Sequence, residues 1–362
     1  MRVLFIWYKR SKGILEGGGQ CSLRNYTLVA NIVGEENVDS CYIHDEYKPK
    51  TIWGYIRGVF CFFFGYYYGL SPRRVRKIVR HAQNYDYVFI DRSVFGIIAK
   101  RLKKNGYKGQ IITHFHNVEY LYFKAKLPHL PGRGIIIHTA DINDKYACRY
   151  SDKIIVLNTR DAMLIEQRYH RKADLLVPIA LQDKLTAPID TTTLTRKTPL
   201  CLFLGSYFPP NNRGILWFVE NVLPHVNIRM QIVGKGMARL KEEAPQLKDI
   251  EVISDAPDLT PYLQEADLMI LPIFSGSGMK VKTCESLMYG KNIIGTNEAF
   301  EGYCADYQRV GGLCNTAAEF IDCINDIAAH PITRFNPYSR QLFIDNYSYT
   351  AVQNLYKQLL HK

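Results

Sequence analysis

Hydrophobic positions along this chain fall into short unbroken runs, separated by longer amphipathic stretches. The runs that read as strands are RVLFIWY (2–8), DSCYIH (39–44), DYVFID (86–91), QIITHFH (110–116) and KIIVLN (153–158). A second series follows: PLCLFLG (199–205), IRMQIVG (228–234), IEVIS (250–254), DLMILP (267–272) and NIIGT (292–296). Each is apolar nearly throughout, as a parallel strand covered on both faces should be. The stretches between them carry helical spacing, as at Ile215, Phe218, Val219 and Val222. Alternating β and α implies parallel sheets with crossover helices. Two such series predict an α/β protein of two Rossmann-like, doubly wound domains, at 1–180 and 200–336. Residues 181–199, LQDKLTAPIDTTTLTRKTP, are rich in Thr, Pro and charge without a sustained period and read as a linker. The last stretch, about 337–362, has a helical pattern and is long enough to pack back on the first domain.

Size and composition agree with that division. A chain of 362 residues exceeds what one core usually supports. With 47% hydrophobic and 22% charged residues it is globular rather than disordered. The N-terminal run MRVLFIWYKRSKG lacks the order and cleavage site of a signal peptide. No apolar stretch reaches the roughly 18 residues that a bilayer span needs. The nine cysteines form no CxxC pair and read as free thiols in a reducing cytoplasm, without a metal site.

The net charge of +12 is unevenly placed. Between Glu46 and Asp86 there is no acidic residue, but Lys48, Lys50, Arg57, Arg73, Arg74, Arg76, Lys77 and Arg80 all lie there. A local basic patch points to an anionic partner. The run VFCFFFGYYYGL is apolar but too short to span a membrane. After it, Ser71 and Pro72 start a helix with Val75, Ile78, Val79 and Ala82 on one face. Arg73, Arg74, Arg76, Lys77 and Arg80 lie on the other. Aromatics beside such a helix suit an anionic membrane surface, and predict peripheral docking on the inner leaflet. The plainer alternative is a core helix with a solvated basic rim. Nucleic acid is disfavoured, because the aromatics are not interleaved with the basic residues as a stacking groove requires.

In open α/β sheets ligands sit beyond the carboxyl ends of the strands, so residues there carry the chemistry. EGGGQCS (16–22) precedes a helix, and its glycines let a ligand approach the backbone. It lacks the GxGxxG spacing of a dinucleotide site and also fits a flexible loop with a helix cap. THFHNVEY (113–120) puts His114 and His116 on one strand face, a spacing suited to metal, but no third ligand is evident. Either histidine also fits a satisfied core position. In FLGSYFPPNNRGILWF, Gly205 and Ser206 sit at a strand tip, Asn212 can cap the next helix, and Arg213 can fix a phosphate or be a solvated charge. In GSGMKVKTCESLMYG, the backbone of Gly278 and Met279 can hold a diphosphate that Lys280 or Lys282 neutralises. Glu285 shares a helix face with Lys282, and its two oxygens suit two ribose hydroxyls. An internal ion pair on that helix is the simpler alternative.

Together these stretches resemble the retaining sugar-nucleotide glycosyltransferases of the family 4, group 1 type, which have the GT-B fold of two Rossmann-like domains facing across a cleft. The resemblance covers most of the chain and is strongest in GSGMKVKTCESLMYGKNIIGT with EGY (301–303) following. HNVEY and GSYFPPNNRGILWFVENVLP resemble a subgroup that builds bacterial surface polysaccharides. It implies that Glu285 binds donor ribose, that Gly276, Ser277, Gly278, Met279 and Lys280 hold the diphosphate and donor sugar, and that Gly18 and Gly19 lie near the donor phosphate and acceptor. It places His116, as the catalytic candidate, beside the donor sugar. It implies a nucleoside-diphosphate sugar donor, a saccharide or lipid-linked acceptor, and neither metal nor further cofactor. Two departures stand out. Many relatives carry a second glutamate where Ser277 stands, and an Arg and a Lys where Ser206 and Arg213 are the nearest matches. A nucleotide-sugar epimerase of the same fold is an alternative, although no carboxylate cluster is set for proton removal. A non-catalytic nucleotide-sugar or lipid-binding partner is another.

Overall fold

The computed structural model describes residues 1–8, 17–43, 51–67, 69–127, 130–185, 198–330 and 333–360. Glu16, Lys48, Lys50 and most of the expected linker lie outside the described residues. The chain forms two compact units, Met1–Pro178 with Val352–Lys362, and Ile179–Ala351.

The first unit is built on six parallel strands: β1 (Val3–Tyr8), β2 (Val38–Ile43), β3 (Tyr87–Ile90), β4 (Gln110–Phe115), β5 (Lys153–Val156) and β6 (Leu175–Leu176). Their order is β2-β1-β3-β4-β5-β6. The sheet order reverses between β1 and β3, so the carboxyl ends of those strands flank the crevice where such sheets bind ligands. Val3 to Ile6 and the whole of β3 are buried, as the unbroken apolar runs require. Helix α1 (Gly17–Val33) follows β1, and α2 (Ile52–Phe63) and α3 (Pro72–Ala82) follow β2.

Helix α3 starts as its sequence predicts. Ser71 accepts a hydrogen bond from the Arg74 amide at 3.2 Å, and Pro72 occupies the first turn. Val75, Ile78, Val79 and Ala82 are buried in the unit's core. The apolar face of α3 is therefore internal. One of its basic residues is also not a free rim charge: Arg74 donates to the carbonyls of Tyr42 (2.7 Å) and Gly69 (2.9 Å). Arg73, Arg76, Lys77 and Arg80 remain exposed.

The second unit also holds six parallel strands: β7 (Leu200–Leu204), β8 (Arg229–Gly234), β9 (Glu251–Ser254), β10 (Leu268–Leu271), β11 (Asn292–Gly295) and β12 (Gly311–Leu313). The order β12-β11-β10-β7-β8-β9 is doubly wound and reverses between β7 and β10. The tip of β7 packs tightly against β8: a Cβ on Gly234 would lie 1.8 Å from the Gly205 carbonyl oxygen. Only glycine permits that approach.

The returning C-terminal segment divides later than its pattern predicts. Helix Pro337–Asn346 counts with the second unit, and the first unit gains only Val352–Lys362. The reason is polar anchoring. Asn336 donates to Asn292 at 2.9 Å, and Arg340 donates to the Met288 carbonyl (2.7 Å) and to both oxygens of Asp183. Leu181 also pairs with Ser348, so the chain from Ile179 onward belongs to this unit. Beyond that, Tyr356 is buried in the first unit, where its hydroxyl donates to Asn25 at 2.5 Å.

Candidate functional site

Two clusters of polar side chains lie at the strand ends that flank the two reversals. In the second unit, the chain leaves β10 through a loop at 272–280 and enters the helix Val281–Met288. Thr296, beyond β11, donates through its hydroxyl to the Ile273 carbonyl, and its amide donates to that of Leu271 at 3.3 Å. The loop is thereby pinned at its start. Gly278 has φ +60, a left-handed conformation that favours glycine. Met279 is buried, and its sulfur accepts from the Ile179 amide at 3.3 Å. The helix that follows has no side-chain cap; the Thr283 and Cys284 amides donate to the Lys280 carbonyl, which leaves those of Val281 and Lys282 at its positive end.

The two lysines differ. Lys280 forms a largely buried ion pair with Glu298 at 2.6 Å and also donates to the Gly278 carbonyl at 2.8 Å. A side chain at Gly276 would press on that pair, its Cβ 3.0 Å from Lys280 Cε and 3.2 Å from the Glu298 carboxylate. Tyr303, of the EGY stretch, donates to the Lys280 carbonyl at 2.7 Å and fixes the helix entry. Lys282 donates to Asn211 at 2.8 Å and lies 4.6 Å over the Phe203 ring, beside Gly205 at the tip of β7. No carboxylate lies within ion-pairing distance of its amine among the described residues. Burial lowers its ammonium to about 7, an effect that Glu285 partly offsets.

Glu285 lies one turn further on, half-buried, and its side chain makes no hydrogen bond among the described residues. Burial raises its carboxyl to about 7 against the opposing pull of Lys184 and Lys282. An acceptor and a cation, both desolvated and both poorly satisfied, thus stand beside an open helix N-terminus. Glu285 has a raised pKa, so its contribution is complete below its ordinary 4.5 and is lost as pH rises toward about 7. Lys282 has a depressed pKa, so its contribution is present above 10.5 and is lost as pH falls toward about 7. Both groups destabilise the ligand-free protein most near pH 7.

Arg213 and Ser206 do not join Lys282. Arg213 is exposed, donates to Ser275 Oγ at 3.4 Å, and lines a separate cavity of about 300 Å³ with Trp217, Phe274 and Asn315. The Ser206 carbonyl accepts from Asn211 at 2.9 Å. Asn212 is not the helix cap: the helix begins at Pro209, and Asn212 reaches back to accept from the Phe208 amide at 3.2 Å. Ser277 is half-buried in the loop.

In the first unit, Gly18 and Gly19 belong to the first turn of α1, with Gly18 exposed and no atom within 4 Å of a Cβ built on it. They form a helix start rather than an open loop. One turn on, α1 presents Cys21, Arg24 and Asn25 to the carboxyl ends of β3 and β4. Asn25 donates to Asp91 at 2.6 Å, and Asp91 lies 3.3 Å from His116 Nε2. Arg24 is fully buried and donates to Asn25, to the Pro178 carbonyl and to the Cys21 sulfur. Burial works against a charge on His116, but Cys21 and Asp91 outweigh it and raise the imidazole to about 10. Burial, His116 and Arg24 together hold His114 well below the usual range. His114 is therefore neutral, and its Nε2 faces Arg24 at 3.3 Å. His116 Nδ1 finds no partner among the described residues.

Cys21 supplies the third group that the spacing of the histidines did not show. Its sulfur and one nitrogen from each histidine lie within 4.8 Å of one another. The arrangement nevertheless suits a buried thiol–imidazole pair better than a cation. The Arg24 guanidinium reaches both Cys21 and His114, placing positive charge where a metal would bind.

Known proteins resemble this chain in one family match and in fold. Residues 198–330 match the family model described as glycosyl transferases group 1, which spans the second sheet and its crevice. No curated protein matches the chain at a significant level. Among solved structures, the chain is similar to the sucrose-phosphate synthase from Thermosynechococcus elongatus, at TM-score 0.69 and 14% identity over 99% of both chains. It is also similar to Anabaena HepE in complex with UDP-glucose, at TM-score 0.67 and 13% identity, and to the lipopolysaccharide outer core galactosyltransferase WaaB, at 0.66 and 13%, each over 99% of both chains. At these identities the likeness is one of fold: two parallel six-stranded α/β units of the GT-B type.

Proposed function

We propose that this protein is a retaining glycosyltransferase that moves a hexosyl group from a nucleoside-diphosphate sugar to a saccharide acceptor, lipid-linked and presented at an anionic membrane surface, in polysaccharide or glycoconjugate synthesis. The observation that carries the reading is Lys282 and Glu285 beside an uncapped helix N-terminus, in the crevice of the sheet that matches the glycosyltransferase model. The helix amides and Lys282 meet the diphosphate, and Glu285 accepts from the ribose hydroxyls. Lys282 is the leading cation, since Lys280 is committed to Glu298 and Arg213 lies elsewhere. Negative charge growing on the leaving diphosphate is met by the same groups. The imidazolium of His116 is the candidate hydrogen-bond donor to a hydroxyl of the donor sugar. The bound UDP-glucose of HepE and the galactosyltransferase activity in the name of WaaB support this substrate class. The reading calls for no cofactor beyond the donor.

Ligand that binds only the folded state raises the unfolding temperature. A panel of UDP, GDP and ADP, each free and as sugar conjugates, should yield a stabilising subset that shares one base. A panel without any shift at millimolar ligand would end the proposal.

The pH dependence follows from the site. Below about 7 Glu285 carries a proton and loses acceptor capacity, and above about 7 Lys282 loses its charge. Affinity for the nucleoside diphosphate is expected to peak near neutrality and decline on both sides. Calorimetric titrations between about pH 5.5 and 8.5 test this, and a flat profile would separate these two groups from the ligand.

A further inference from the structure

Helix α2 is built inside out. Its N-cap is ordinary, with Thr51 accepting from the Gly54 amide at 3.1 Å. Its faces are not. A helix on a soluble domain turns its large apolar residues toward the core. In α2 the half-buried positions include Gly54, Gly58, Cys61 and Phe62. They approach the helix Arg133–Tyr150: Thr139 donates to the Phe62 carbonyl at 2.9 Å, and a Cβ on nearby Gly65 would lie 3.2 Å from Ile142. Most of the large residues point the other way, although the Phe63 ring also meets that of His138 on the same neighbouring helix at 4.9 Å. Trp53 is 76% exposed, Ile52 69%, Phe60 65%, Phe63 57% and Ile56 48%. Their spacing of three and four places them on one stripe of the helix. Exposed apolar surface of this extent marks an interaction site.

The surrounding charge identifies the partner. Arg57 is the only charged residue of α2, and no carboxylate occurs between Glu46 and Asp86. Arg73, Arg76, Lys77 and Arg80 of α3 stand exposed in the same stretch of the chain. A second copy docking through this stripe about a twofold axis would set Arg57 and the basic rim against themselves. An anionic bilayer satisfies both the apolar stripe and the positive charge.

We propose that α2 lies in the membrane interface, with Trp53, Ile56 and Phe60 embedded among the lipid chains and the basic rim of α3 held at the headgroups. This deepens the membrane part of the proposed function and rests on that reading only for its purpose. It narrows the apolar contact from the run at 59–70 to the outer stripe of α2, which shares Phe60 with that run. No described helix is long and apolar enough to cross the membrane, so the contact is one of insertion from one side.

The test uses the whole protein with vesicles of phosphatidylglycerol and phosphatidylcholine, some brominated along the acyl chain. Bound protein should show a blue-shifted, bromine-quenched emission that is lost in Trp53→Phe, although that variant still sediments with vesicles. Ile56→Ser with Phe60→Ser should reduce partitioning at least tenfold with unchanged thermal unfolding. The contact should survive salt that abolishes purely electrostatic docking. Sedimentation with unquenched Trp53 emission would overturn insertion and leave charge alone as the docking force. A salt-stable dimer through α2 without vesicle binding would overturn it as well. Nucleotide binding, measured without lipid, reports separately on the glycosyltransferase reading.

Discussion

Glu285→Ala is expected to lower affinity for the nucleoside diphosphate about 150-fold while leaving the fold intact. Two hydrogen bonds from ribose hydroxyls to a carboxylate are lost, together about 3 kcal/mol. The same substitution removes a half-buried acidic group that has no hydrogen-bond partner among the described residues and a pKa raised to about 7 by burial. The ligand-free protein should therefore unfold at the same temperature or a higher one, as is common where a binding site holds poorly satisfied charge. That opposition of affinity and stability separates a binding residue from a structural one. Calorimetric titration and thermal unfolding of the same preparation measure both, and unchanged affinity would remove the ribose assignment.

His116→Ala is expected to reduce kcat for sugar transfer on the order of 10²-fold, the range for a group that assists charge or proton movement in the transition state. Affinity for the bare nucleoside diphosphate should hold, because the groups proposed to bind it are Lys282 and Glu285. The substitution also deprives Cys21 and Asp91 of their positive neighbour. Its structural consequence is therefore checked with His116→Asn, which keeps a hydrogen-bond donor without the charge. Loss of turnover in both variants, with unfolding temperatures near that of the parent, assigns the effect to the imidazolium. Full activity in either variant would exclude it.

The parts legible in the sequence are those whose signals are local. Strands buried on both faces appear as unbroken apolar runs, and all ten such runs are strands. The strands missed, Leu175–Leu176 and Gly311–Leu313, are too short to carry a pattern. The loop and helix at 276–285 were readable because glycines, lysines and a glutamate fall within one turn or two. What escaped depends on partners distant in sequence. Glu298 neutralises Lys280 from 18 positions away, and Asn211 reaches Lys282 across 71. Cys21, Asp91 and His116 come from α1 and the ends of two strands. Only the folded sheet brings them together. The outward stripe of α2 escaped for a different reason: an unbroken apolar run such as 59–70 does not tell which of its residues face outward.

The discontinuity of the first unit bears on how the protein is made and rearranged. Ile179–Ala351 is one uninterrupted length of chain and can begin to fold while synthesis continues. The first unit cannot finish in the same way. Its network through Asn25 and Asp91 is closed by the hydroxyl of Tyr356, which follows Asn25 by 331 positions and is made only after the whole second unit. The second unit is therefore one continuous segment, whereas the first needs both of its segments, Met1–Pro178 and Val352–Lys362. A fragment ending at Pro178 would leave Asn25 without its tyrosine.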